Sequence, residues 1–272
     1  MIALLRLILL GAVAISTAAQ ASPADDMPLV AAAIRSGRLV QAELMLARMT
    51  PSQAGEATTE LEILHGQLAL AQGRDQDARR DFGALALRVP DDCRVLLGLG
   101  MAESDLGDAD RAITHLEGAT RTCAADWKAW SALGFAYDAK ARWGDSDAAY
   151  ARAMASGGEQ PALLNNVAAS RIRQRRFAEA EPILARARAG APDDLRIANN
   201  LDIAAGALGR MPVRGLRDST SRWAERLNNA GYAAMLAGRG DDARKWLTMA
   251  VAADPVFQTI AAANLARLDA RK

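Results

Sequence analysis

Small and apolar side chains recur every 34 residues along most of this 272-residue chain, and that period limits its fold more than any other feature. Gly66, Gly100 and Gly134 stand 34 apart, as do Leu96, Trp130 and Leu164, while Ala78, Ala112 and Ala180 fall in one register. Four consecutive units between Glu60 and Asp194 share this frame without an insertion. Leu227, Ala230, Gly231, Gly238, Ala243 and Leu247 complete a further unit near the end, and Gly37, Ala42 and Leu46 open one near the start, offset by two extra residues. A period of this length means a stack of like supersecondary units rather than one globule.

Each unit reads as two antiparallel helices. Gly73-Arg74, Gly107-Asp108 and Gly238-Arg239 mark the turns within units, and Pro90, Pro192 and Pro255 stop the second helices. Hydrophobic residues make up 51% of the chain but aromatics only 4%, so the core must form by close approach of small side chains. Gly100 on a first helix and Ala112 on a second are such contact points. One helical pair cannot bury its apolar face alone, so neighbours must stack.

Trp130-x-x-Leu133-Gly134-x-x-Tyr137, followed by Tyr150 and Ala153, resembles the tetratricopeptide (TPR) pattern. The resemblance implies an all-α, right-handed α-solenoid of helix-turn-helix repeats. The expected units are roughly 25–57, 59–92, 93–126, 127–160, 161–194, a degenerate 195–223, and 224–257, with a capping helix over 256–272. In the degenerate unit the first helix, about Leu195 to Leu208, is regular, whereas Gly209-Arg210-Met211-Pro212 and Gly215 interrupt the second. That is either a mere irregularity or a joint that meets a partner. In the capping helix, Ile260, Leu265 and Leu268 are expected inward and Arg267, Asp269, Arg271 and Lys272 outward.

Residues 1–21 have the form of a signal peptide: Arg6, an apolar run from Leu7 to Ala19, and Ala19-Gln20-Ala21 as the cleavage site. The run is shorter than the roughly 20 residues a spanning helix needs. An exported, periplasmic protein with no membrane span in residues 22–272 is therefore expected, and no Cys follows the leader to carry a lipid. Beyond the leader Lys+Arg and Asp+Glu balance at 32 each, so nothing in the bulk charge draws the chain to nucleic acid.

Enzymatic motifs (G-x-S-x-G, H-E-x-x-H, a P-loop) do not occur, and two His and two Cys leave little material for a metal or haem site. No catalysis and no cofactor are expected. His65 falls at the interior position of Leu99 and Leu133 and reads as a packing residue. Cys93 opens the first helix of a unit and Cys123 ends its second. Antiparallel packing brings those ends together, and an oxidising compartment permits a disulfide.

In TPR proteins the first helices line the concave groove. Carried over, the resemblance implies groove positions at Leu97, Met101, Ser131 and Phe135, then Asn165, Ala169, Ile172 and Arg173, and finally Asn199, Ile203, Asn228 and Tyr232. Three Asn pairs recur here: 165–166, 199–200 and 228–229. The first Asn of each could bind the backbone of an extended protein or peptide segment. Alternatively, all six hold repeats together. Residues 56–126 carry 7 basic against 14 acidic residues, and residues 127–226 carry 16 against 11. Arg171, Arg175 and Arg176, with Arg210, Arg214 and Arg217, form either a solvated face or a docking patch for an acidic partner.

Within exported TPR proteins, the overall size and helices such as Leu164-Asn165-Asn166-Val167-Ala168 resemble the TadD-type proteins of Flp (tight-adherence) pilus assembly. That resemblance implies a scaffold for pilus or secretion components of the cell envelope. Members of that group are commonly lipoproteins, and this chain lacks the lipid-modified Cys. A TPR maturation helper, as in c-type cytochrome biogenesis, is the alternative.

Overall fold

A computed structural model of the protein describes residues 23–49 and 56–270. The expected leader, with Arg271 and Lys272, lies outside them. Fourteen helices and no strand occur among the described residues. Five hairpins come first: α1 (Pro23–Arg35) with α2 (Leu39–Arg48), α3 (Glu56–Ala71) with α4 (Asp75–Arg88), and α5 (Cys93–Asp105) with α6 (Ala109–Thr122), then α7 (Trp127–Ala139) with α8 (Trp143–Gly157), and α9 (Pro161–Arg173) with α10 (Phe177–Gly190). α11 (Leu195–Ala207) has no second helix. α12 (Thr220–Leu236) pairs with α13 (Gly240–Ala253), and α14 (Pro255–Asp269) ends the stack.

The 34-residue spacing also sets the helix starts. Asp92, Asp126 and Asp194 each accept the backbone N–H of the second residue following, capping α5, α7 and α11, while α9 starts on Pro161 at the equivalent place. Arg94 and Arg196 bond the carboxylates of Asp92 and Asp194, holding them below the usual carboxylate range. Residues 73, 107, 141, 175 and 209 close the turns after five first helices, all with positive φ. Three are Gly, but Ala141 (φ 54°) and Arg175 (φ 61°) carry a side chain in that region. Replacing Ala141 by Gly is expected to stabilise the fold by about 0.5–1 kcal/mol, because relief of the strained backbone exceeds the extra freedom of an unfolded Gly. A thermal melt that does not move upward would contradict this.

Packing within hairpins repeats at a fixed distance. A Cβ on Gly66, Gly100, Gly134 or Gly231 would stand 2.5–2.9 Å from Phe82, Leu116, Tyr150 or Leu247 respectively, in each case the residue 16 positions on. Between hairpins the two rows differ. First helices touch the first helices of neighbouring units, from α1–α3 through α9–α11 to α12–α14, whereas no second helix touches another second helix among the described residues. The first helices thus form the close-packed inner row of a curve and the second helices its splayed outer row. The architecture is an all-α helical repeat solenoid.

Unit six departs from the rule. The sequence suggested an interrupted second helix; none forms, and residues 208–219 contain only turns and irregular chain. Asn199 faces Arg222, Asp202 faces Arg226, and a Cβ on Gly206 would stand 2.5 Å from the Ala230 backbone. These pairs rise together, so α12 runs parallel to α11 and packs directly on it. The step between these first helices is 24 residues, where Asn165–Asn200 and Asn166–Ser131 bonds mark a step of about 34 elsewhere.

Two expected interior positions are not interior. Ile260 is 52% exposed, whereas Leu268 is buried as expected and Leu265 half-buried, with Ala261 and Asn264 completing the inward face of α14. His65 is exposed, because the side of α3 that Leu99 turns toward α4 in the next unit has only the ten-residue α2 before it.

Candidate functional site

The inner row contains a cleft of about 470 Å³ whose lining comes from four consecutive first helices. Leu97, Met101 and Asp105 lie one turn apart on α5, and Trp127, Ser131 and Phe135 lie one turn apart on α7. Asn166 of α9 and Arg196 of α11 close the far side. Met101 and Phe135 remain 39% and 36% exposed, although both are large apolar side chains. Four of the expected groove residues, Leu97, Met101, Ser131 and Phe135, are thus brought together. Trp127 and Asp105, missed in the sequence, could have been found by extending each i, i+4 stripe by one turn.

Electrostatics differ along the cleft. Arg173 sits over the Phe135 ring at 4.6 Å and reaches Asp138 Oδ2 at 3.4 Å, so its charge is held in place. Asp138 is buried and accepts from the Ser146 and Ser170 hydroxyls at 2.6 and 2.9 Å, which ties α7, α8 and α9 together beneath that cation. Partial desolvation, then the charge of Asp75, raises the Asp105 carboxyl above its usual range. The cleft therefore offers an apolar centre with the Asp105 carboxylate at one side and Lys128 and Arg196 in its lining, while Arg173 reaches it through the Phe135 ring.

The remaining groove positions are not gathered into it. Asn165, Ala169, Ile172, Asn199 and Ile203 are half-buried, and Tyr232 is 36% exposed on α12. The Asn side chains make a ladder between units. Asn166 donates to Ser131 Oγ at 3.1 Å, Asn200 to Asn165 Oδ1 at 2.9 Å, and Asn264 to Asn228 Oδ1 at 2.9 Å. Asn228, only 8% exposed beneath α14, is unavailable to a ligand backbone. Asn199 is engaged on both sides, donating to Glu225 and accepting from Arg222.

Four of the six arginines of the expected patch are partnered. Arg171 and Arg176 both pair with Asp147, Arg175 donates to the Leu236 carbonyl, and Arg210 pairs with Glu181. Burial opposes it, but bonds from Gln174, Arg176 and Arg171 hold the Asp147 carboxyl below its usual range. Among the described residues only Arg214 and Arg217 of the six have no partner; each of the others has one 24 or more residues away, and Arg171 and Arg176 also meet the nearby Glu179. His115 bonds the buried Glu103 at 2.7 Å. Cys93 and Cys123 are joined in a disulfide, with Cα atoms 5.8 Å apart, at the base of the hairpin that carries Leu97 and Met101.

No protein-family model and no curated protein matches the chain at a significant level. Solved structures do resemble it. TTC0263, a thermophilic TPR protein of Thermus thermophilus, is 19% identical with a TM-score of 0.59, over 67% of this chain and 98% of that one. A chain of the APC/C hetero-tetramer Cut9–Hcn1 is 14% identical with a TM-score of 0.62, over 90% of this chain and 49% of that one. A tetratricopeptide repeat protein from Parabacteroides merdae is 14% identical with a TM-score of 0.54, over 90% and 98%. At these identities the likeness is one of architecture, and the chain has the fold of tetratricopeptide-repeat proteins.

Proposed function

We propose that this protein is an exported, non-enzymatic scaffold that holds an extended segment of another cell-envelope protein along its inner row of first helices. The observation that carries this reading is the cleft between α5 and α7, where Met101 and Phe135 stay exposed beside a fixed Arg173. Apolar side chains of a bound segment would enter between Met101 and Phe135, and an acidic one would meet Arg173 or Arg196. The leader over residues 1–21 supports a periplasmic location, where a Cys93–Cys123 bond would persist. Resemblance to the TadD-type group supports a role in building a Flp/Tad pilus or secretion system.

Placing a photo-crosslinking side chain at Met101, at Phe135, or at Arg80 on the outer helix α4 tests the reading in cells. The inner positions are expected to give one shared adduct that Arg80 does not. Identification of a pilin or secretin would support the pilus role; an apocytochrome would replace it with the maturation reading. Adducts from Arg80 alone, or the same set from all three, would remove the cleft as the working surface.

A further inference from the structure

Absence of a second helix in unit six leaves an open slot on the outer side of the solenoid, a cleft of about 930 Å³. Its floor is one face of α11: Ala198, Leu201 and Ala205. In α7 the same face is Trp130, Leu133 and Tyr137, which α8 covers with Ala148 and Ala149. Pro182 and Ala185 of α10 form one wall, and Val213 and Leu216 of the irregular segment form the other. Leu195 and Val213 are 62% and 82% exposed and Leu216 fully so, an unusual cost for three apolar residues around one cleft. Where every other hairpin supplies an apolar helix, this one supplies small floor residues and apolar edges.

The unpaired charges of the rim are mostly basic. Arg188 and Arg217 border the cleft and Arg214 lies beside it, none with a partner among the described residues, against the single unpaired carboxylate of Asp193. We propose that the slot receives an amphipathic α-helix from a partner protein. Its inward face carries Ala and Leu at the spacing of Ala112, Leu116 and Ala119, and acidic residues flank that face. The inserted helix completes unit six in trans, packing over a lining that includes the nearly buried Arg226–Asp202 pair. This surface is separate from the α5–α7 cleft.

The probe is a fluorescein-labelled, N-acetylated peptide of residues 108–122 bearing Arg111→Glu and Arg121→Glu, titrated into the oxidised full chain. Saturable binding with a gain of peptide helicity is expected, weakened on raising salt from about 50 to about 300 mM. Ala198→Trp fills the floor with the side chain found at the matching place in α7, and is expected to weaken binding about tenfold while helicity and melting stay unchanged. The double variant Arg188→Ala/Arg217→Ala is expected to flatten the salt dependence. Phe135→Ala should bind the peptide like the parent, which separates failure of this site from failure of the inner cleft. Equal binding by the parent and Ala198→Trp, or no saturation by ~1 mM peptide, overturns the proposal. So does a parent dimer that Ala198→Trp turns into a monomer, since a second copy would then be the occupant.

Discussion

Replacing Arg226 by Ala is expected to lower the unfolding free energy by about 3–5 kcal/mol, because it strands a buried carboxylate. Arg226 bonds both oxygens of Asp202 at 2.8 and 2.9 Å, and its remaining nitrogen donates to the Val213 carbonyl and to Asp218 at 2.8 Å. The side chains of Arg226 and Asp202 are only 13% and 6% exposed. One guanidinium therefore fastens α12 to α11 and both to the segment that replaces a helix. Burial works against it, but the Gly215 N–H and Arg226 still hold Asp218 below the usual carboxylate range. Asp202 stands where the frame has Gly100, Gly134 and Ala168, so the double variant Asp202→Ala/Arg226→Leu restores a packing solution used elsewhere in the chain. It is expected to recover most of the loss. Urea unfolding measures both, and a loss below about 1 kcal/mol for Arg226→Ala would mean the pair is not a structural tie.

Opening the Cys93–Cys123 bond is expected to cost about 3–4 kcal/mol on the chain-entropy account of a 30-residue separation. The effect belongs chiefly to the α5–α6 hairpin, since units of a solenoid interact only with their neighbours. Cys93→Ser/Cys123→Ser and reduced parent should therefore share one lowered urea midpoint, while oxidised parent stays above both. If reductant leaves the parent's midpoint in place, the bond contributes nothing to the fold. Because Leu97 and Met101 lie on the following turns of α5, the same treatment is also expected to loosen the inner cleft.

Features that repeat were legible in the sequence, and those that depend on a single distant partner were not. Gly100 against Leu116 follows from a spacing found in four hairpins, and the approach of Cys93 to Cys123 follows from antiparallel helices of nearly equal length. Nothing local to Arg171 or Arg176 announces Asp147, which is delivered by the preceding hairpin. Asn228 looked like Asn165, but the last unit stacks α14 over it. Gly209, Pro212 and Gly215 gave notice that something fails after α11. They could not reveal that the helix is lost entirely, since α12, which packs directly on Gly206, belongs to the next unit.

The reach of the inner cleft also sets how long a gripped segment can be. The solenoid is an arch whose outer ring lacks one stone, and the cleft draws its lining from the first helices α5 to α11, up to that gap. From α5 to α11 there are three helix spacings of about 9 Å, or roughly 27 Å in all. At about 3.3 Å per extended residue, the stretch of partner chain gripped along this cleft is about eight residues.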